Sequence, residues 1–194
     1  MDTVLIIIGL VVVATIVWAF MSAASSRDKV RTAQIELGAL SGFKPDQAII
    51  KAVKGPAAQG VAIDHSARKL CLIQGADKRV IPFADLVSVE LVVDGDTVTK
   101  TARGGQLVGM AAGALLAGGV GAVVGGLSAS TTSKRKVSDI ALKLLVNDIE
   151  RPTHVVQFVP GAVPEALVQA AMKEASHWLD LLKVVIFQNE AAHG

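Results

Sequence analysis

With one cysteine, no tyrosine and four histidines, this 194-residue chain holds little of the usual equipment of catalysis. The lone Cys71 excludes an internal disulfide and suits a reducing compartment. His65, His154, His177 and His193 fall at no metal-ligand spacing, and Cys71 has neither a CxxC partner nor a histidine nearby. No GxSxG elbow and no paired-acid pattern for hydrolysis stands out. Aromatic residues make up 4% of the chain, too few for a stacking platform, and a net charge of +2 indicates no broad polyanion-binding surface. These gaps argue for a protein that is no enzyme, with no cofactor, no metal site and no nucleic-acid partner.

Two apolar runs fill the space that chemistry leaves. Thr3 to Met21 (TVLIIIGLVVVATIVWAFM) continues without a charge for about 19 residues, enough to cross a hydrocarbon core of about 30 Å as a helix. Trp18 and Phe20 stand near one end, where aromatic rings favour the interface. A cleaved signal peptide would want a basic leading region and a shorter apolar core. Here Asp2 precedes the run, and Arg27, Lys29 and Arg31 follow it. An uncleaved anchor is expected, with the N-terminus outside and the rest in the cytoplasm.

The second run, Gly104 to Ser128, carries no charge, no proline and no aromatic ring. Small residues recur at every fourth position: Gly105, Gly109, Gly113, Ala117, Gly121 and Gly125. That pattern lets helix backbones approach closely in lipid, where packing replaces the missing hydrophobic drive. Glycine costs about 1 kcal/mol per helical residue relative to alanine in water, so the run needs a membrane or a close partner to be helical. A Walker loop would need a lysine followed by Ser or Thr after its last glycine, and a dinucleotide loop should be polar. Neither condition is met.

Between and after these runs the period changes. Ser22 to Ser26 reads as a small polar hinge, Arg27 to Leu40 as a short helix stopped by Ser41-Gly42, and Asp46 to Val53 as a further helical turn or two. From Gly60 onward strands are expected at Val61–Ile63, Leu70–Ile73, Arg79–Phe83 and Leu86–Val93, with Asp94-Gly95 making a tight turn into Thr97–Ala102. After the glycine run the alternation resumes at Val137–Val146 and Thr153–Val159. Pro164-Glu165 then opens an amphipathic helix whose apolar stripe is Leu167, Ala171, Ala175, Trp178, Leu179, Leu182 and Ile186. Asp64-His65 is expected at a solvated turn, His177 and Trp178 at the rim and core of that helix. Cys71, alternating with Leu70 and Leu72, is expected to face the sheet interior or a neighbour rather than act as a nucleophile.

About seven strands followed by one tryptophan-bearing helix resembles the pleckstrin-homology-like fold, including versions in small membrane-tethered bacterial proteins. The resemblance covers Gly60 to Phe187 apart from the insert and rests on element order. It implies an α+β chain: an N-terminal transmembrane helix, then a cytoplasmic PH-like antiparallel sandwich or barrel with a C-terminal helix, interrupted by a glycine-rich helical hairpin. The corresponding divisions are residues 1–22 as anchor, 23–59 as juxtamembrane helical linker, 60–103 and 130–194 as the two halves of the domain, and 104–129 as the hairpin. Lys100 and Arg103 precede the insert, and Lys134, Arg135 and Lys136 follow it, which places both of its ends on the cytoplasmic face. With a break at Gly118-Gly119, each arm of about ten residues is about 15 Å long, so the insert would be re-entrant. The sheet could then close if the insert leaves and returns at one place. A buried helical pair docked on the sheet, or the core of a soluble oligomer, is the alternative.

These features together suggest a homo-oligomeric scaffold of the bacterial inner membrane. It would self-associate through Gly105, Gly109, Gly113, Ala117, Gly121 and Gly125. The cations Arg27, Lys29, Arg31, Lys100, Arg103, Lys134, Arg135 and Lys136 would set topology or meet lipid headgroups. Its partners would be membrane lipids and further copies of itself, with room for an unidentified protein. Two rival readings stand: a pore or membrane-perturbing protein, for which the arms offer no polar residue except Gln106, and a monomeric lipid- or peptide-binding adaptor, which needs no small-residue stripe.

Overall fold

The computed structural model describes residues 2–52, 58–103, 107–108 and 137–191. It opens with α1 (Asp2–Gly38), a helix of 37 residues and so about 55 Å long. The hinge expected at Ser22–Ser26 does not form. The helix continues through it, and Ser26 Oγ donates to the Ser22 carbonyl at 3.0 Å, so a potential breaker is satisfied inside the helix. The chain turns after Gly38 with Gly42 at φ +73°, a conformation glycine adopts without strain.

Two antiparallel sheets follow. Sheet I holds β1 (Gln47–Ala52), β2 (Ala58–Asp64), β3 (Lys69–Gln74) and β4 (Asp77–Pro82) in that order. A single 3-10 turn, Phe83–Asp85, leads into sheet II. There β5 (Leu86–Val93), β6 (Asp96–Ala102), β7 (Leu107–Val108), β8 (Asp139–Val146) and β9 (Thr153–Pro160) lie in the order β7-β6-β5-β8-β9. The helix α2 (Glu165–Ala191) closes the domain. Two antiparallel sheets with a C-terminal helix constitute a PH-like α+β fold.

All seven expected strands form, and the described residues add two more. β1 (Gln47–Ala52) lies within Asp46–Val53, where a helical turn was expected. Ile49 and Ile50 are β-branched, and the strand pairs along its length with β2, from Gln47 opposite Ile63 to Ala52 opposite Ala58. Pairing overrides a local reading that had only Gly55-Pro56 to go on. β7 lies inside the span assigned to the glycine hairpin, and its two residues pair with Lys100 and Thr101. The rest of that expected hairpin, including Gly105, Gly109, Gly113, Ala117, Gly121 and Gly125, lies outside the described residues, as do the cations Lys134–Lys136 that follow it.

The main core fills the space between the sheets and α2. Val61, Ile63, Leu70 and Leu72 from sheet I meet Val89, Leu91, Leu142, Leu144 and Val156 from sheet II. From α2 come Val168, Met172, Trp178, Leu182, Val185 and Ile186. The stripe differs from the expected one at its start: Leu167 is 56% exposed, and its neighbour Val168 is buried instead. A bulge between Leu86 and Ser88 likewise buries Leu86 and turns Val87 partly outward.

A second, smaller core sits on the far side of sheet I. Ala33 and Leu37 of α1, with Phe43, cover Ala62, Cys71 and Ile73. This is why β2 and β3 read as nearly continuous apolar runs: both of their faces are buried.

Candidate functional site

The helix α1 divides into two halves of opposite character. Toward its N-terminus the described apolar side chains are bare, among them Leu10 at 66%, Ile16 at 62%, Trp18 at 73% and Met21 at 67% exposure. Toward its C-terminus Ala33 and Leu37 are each 3% exposed against sheet I. Among the described residues no helix is long and apolar enough to cross a membrane, the side chains of residues 1–6, 9, 19, 20 and 23 lying outside that set. The docked half is fixed by apolar packing and by an ion pair between Glu36 and Lys78. Beneath it Cys71 is fully buried, and burial pushes its thiol up to about 11, so it is a packing residue without thiolate character.

Where the bare half of α1 gives way to the docked half, a cleft of about 790 Å³ opens between the helix and the β3–β4 turn. Its helical wall carries Met21, Ala24, Ser25, Asp28, Thr32 and Glu36, recurring at three- and four-residue intervals along one face. Lys29 joins that wall, Ala33 and Ala58 line it further, and Gly75-Ala76 of the turn stands opposite.

The attachment of the glycine-rich insert to sheet II is the second notable geometry. β6 and β8 flank β5 and both run antiparallel to it, so they are parallel to each other. Ala102 at the end of β6 pairs with Ser88, whereas Asp139 at the start of β8 lies beside Asp94, whose backbone N–H it receives at 3.0 Å. β6 therefore ends near one end of β5 and β8 begins near the other, about 20 Å away along that strand, with β7 on the outer edge of β6. This corrects the expectation of a single point of departure and return.

Each foot is clamped. Arg103 donates from its backbone to Val87 O at 3.1 Å and from its guanidinium to the carbonyls of Phe83 and Ala84. Asp94 Oδ1 accepts from Ser138 N at 2.8 Å, Ser138 Oγ at 3.0 Å and Asp139 N at 2.9 Å. Of the remaining cations expected at lipid or as topology signals, Lys100 pairs with Glu90 at 2.7 Å, while Arg27 and Arg31 are exposed on α1. The structure thus places Lys29 at the junction of α1 and sheet I, with Arg27 and Arg31 exposed on the same helix. It commits Lys100 and Arg103 to protein partners.

Two polar groups anchor the domain, and the first corrects an expectation: Asp64, expected with His65 at a solvated turn, is buried. Asp64, 2% exposed, accepts from Lys44 N, Ser66 Oγ and Ala67 N at 2.7–2.8 Å, and these bonds hold its carboxyl down to about 2. His154, 5% exposed, bonds the backbone of β2 across the sandwich. Their sequence neighbourhoods are a polar turn and an alternating strand, and neither announces a buried group. His65 is exposed at its turn, as expected, 3.2 Å from Asp46 Oδ2.

Residues 47–160 match the family described as glycine zipper containing PH domain. The chain belongs to that family. Among curated relatives, an "Immunity protein" of Bacillus phage SPbeta is 31% identical over 121 residues, covering 57% of this chain and 58% of the relative. The "SPbeta prophage-derived uncharacterized membrane protein YomJ" of Bacillus subtilis (strain 168) is also 31% identical over 121 residues, covering 57% of this chain and 52% of that protein. The chain spans a little over half the length of these relatives. Neither is named for a catalytic activity. No solved structure matches the chain.

Proposed function

We propose that this protein is a membrane-anchored, homo-oligomeric scaffold of the bacterial inner membrane, held by the N-terminal half of α1 and assembled through its glycine-rich insert. One observation carries the reading. Sheet II holds both ends of the segment that carries the uncharged small-residue run, Arg103 bonding the Phe83 and Ala84 carbonyls on one side and Asp94 bonding Ser138 and Asp139 on the other. A long excursion fixed at both ends to a packed domain suits presentation to another copy of the chain. The bare apolar half of α1 and the relative named a membrane protein support anchoring. With Arg27, Lys29 and Arg31 just beyond the apolar run, the domain is taken as cytoplasmic and the N-terminus as external. The phage relative's printed name, carried to this chain, suits an assembly that acts by its presence in the membrane rather than by turnover.

The decisive measurement is particle mass in mild detergent or native lipid. Replacing Gly109, Gly113 and Gly121 by leucine keeps the insert helical and apolar but blocks close backbone approach, and the oligomer mass should fall. Replacing Leu116 by alanine is the control and should leave the mass unchanged. A triple mutant with unaltered mass would eliminate the glycines as the interface and return the insert to the role of an additional anchor.

A further inference from the structure

We propose that the cleft between α1 and the β3–β4 turn binds the headgroup of a zwitterionic aminophospholipid. The inference rests on the reading of α1 as a membrane anchor. Three observations lead to it.

The first is depth. The apolar run ends at Met21, and Ala24, Ser25, Asp28 and Lys29 follow it by three to eight residues, about 4.5–12 Å along the helix axis. The headgroup layer outside a hydrocarbon core is about 5–8 Å thick on each side. The cleft mouth therefore stands at the height of the headgroups, with Met21 and Ala24 on the side of the acyl chains.

The second is charge balance. Asp28, Lys29 and Glu36 line the cleft, and Lys78, paired with Glu36, borders it. Two acids and two bases leave the site neutral, which suits a ligand carrying one phosphate and one ammonium and disfavours a net anionic lipid. Lys29, with the hydroxyls of Ser25 and Thr32, supplies donors for the phosphate. Asp28 supplies an acceptor for the ammonium, which a quaternary amine could not use as a hydrogen-bond donor.

The third is construction. The residues of the helical wall recur on one face of a helix that is docked rigidly one turn further on by Ala33 and Leu37. The opposite wall is a tight turn with Gly75 at φ +63° and its N–H bonded to Ala58 O at 2.7 Å. Both walls are therefore set before a lipid arrives.

The test uses the full chain, purified in detergent and exchanged with phosphatidylethanolamine, phosphatidylcholine or phosphatidylglycerol, with retained lipid read by native mass spectrometry. Membrane partition in cells is scored separately for each variant. Phosphatidylethanolamine should be retained about tenfold over both others, as one charge-assisted hydrogen bond implies. Asp28→Asn should reduce that preference to near parity, and Ala24→Trp, which fills the mouth, should abolish retention. Lys173→Gln, exposed on α2 away from the cleft, should change nothing. A membrane-bound protein that shows no preference, or prefers phosphatidylglycerol, overturns the headgroup site and leaves the anchor standing. A wild-type protein found outside the membrane fraction overturns both.

Discussion

His154 Nε2 lies 2.8 Å from the carbonyl oxygen of Gly60, so a side chain of β9 is bonded to the backbone of β2 across the two sheets. The carbonyl can only accept, which fixes the proton on Nε2. Burial pushes the imidazole pKa below its ordinary value of 6.5, the bond to Gly60 opposes that push, and the nearby Arg79 reinforces it. The folded state therefore holds His154 neutral. A folded pKa below the unfolded one contributes stability that is complete above about pH 6.5 and is lost as pH falls toward the folded value. The melting temperature should drop as pH is lowered from 7 to 5, and His154→Gln, which can still donate to Gly60 O, should flatten that slope. An unchanged slope in the variant would assign the acid sensitivity to another group.

Gly60 is held to glycine by the same seam. A Cβ there would sit 2.2 Å from the Ile49 carbonyl oxygen on the neighbouring strand, and that atom is backbone. Gly60→Ala should cost about 1–3 kcal/mol, the usual range for overpacking, measured by denaturant midpoint. Gly95→Ala probes a different constraint, a turn at φ +88° with open space around it, and should be milder at about 1 kcal/mol. Equal losses at the two positions would mean that space between β1 and β2 is not what limits Gly60.

Cys71 offers a direct report on whether α1 stays docked. Its thiol is fully buried beneath Ala33 and Leu37 and its pKa is raised by burial, so an alkylating reagent near neutral pH should leave it unmodified. Leu37→Ala should remove about 2–5 kcal/mol of packing and accelerate labelling of Cys71. Rapid labelling of the unmutated protein would show that the helix leaves the sheet freely.

Short apolar runs between turn signals made β2 and β3 legible in the sequence, alternating polarity most of the other expected strands, and 3.6-residue periodicity α2, because each buries apolar side chains against a core. β1 was hidden because Ile49-Ile50 has too few neighbours to declare a period, and its strand character comes from pairing with β2. β7 was hidden because two residues carry no pattern at all. The continuous α1 was obscured by Ser22, Ser25 and Ser26, which read as a hinge until Ser26 is seen to bond within the helix. For the candidate site, the apolar run and the cations after it were visible. The cleft was not, since it depends on how α1 meets a turn about 50 residues away.

Sheet II also constrains where its insert can go. β6 and β8 each pair with β5, so the residues before and after the insert lie on the same side of any membrane, although their feet stand at opposite ends of the strand. An insert entering the bilayer must therefore be re-entrant or cross an even number of times, and a chain of 28 residues from 109 to 136 is short for two complete crossings of about 20 residues each. The polar stretch from Ser128 to Lys136 could extend about 30 Å, enough to cover the length of β5 on the way back to Ser138. Single cysteines at Asp96, Ile149 and Ser133, introduced into Cys71→Ser, should all be labelled from the cytoplasm and from nowhere else. Labelling of Ser133 from the opposite side would require β8 to be pulled away from β5 and would refute a membrane-entering insert attached to an intact sheet.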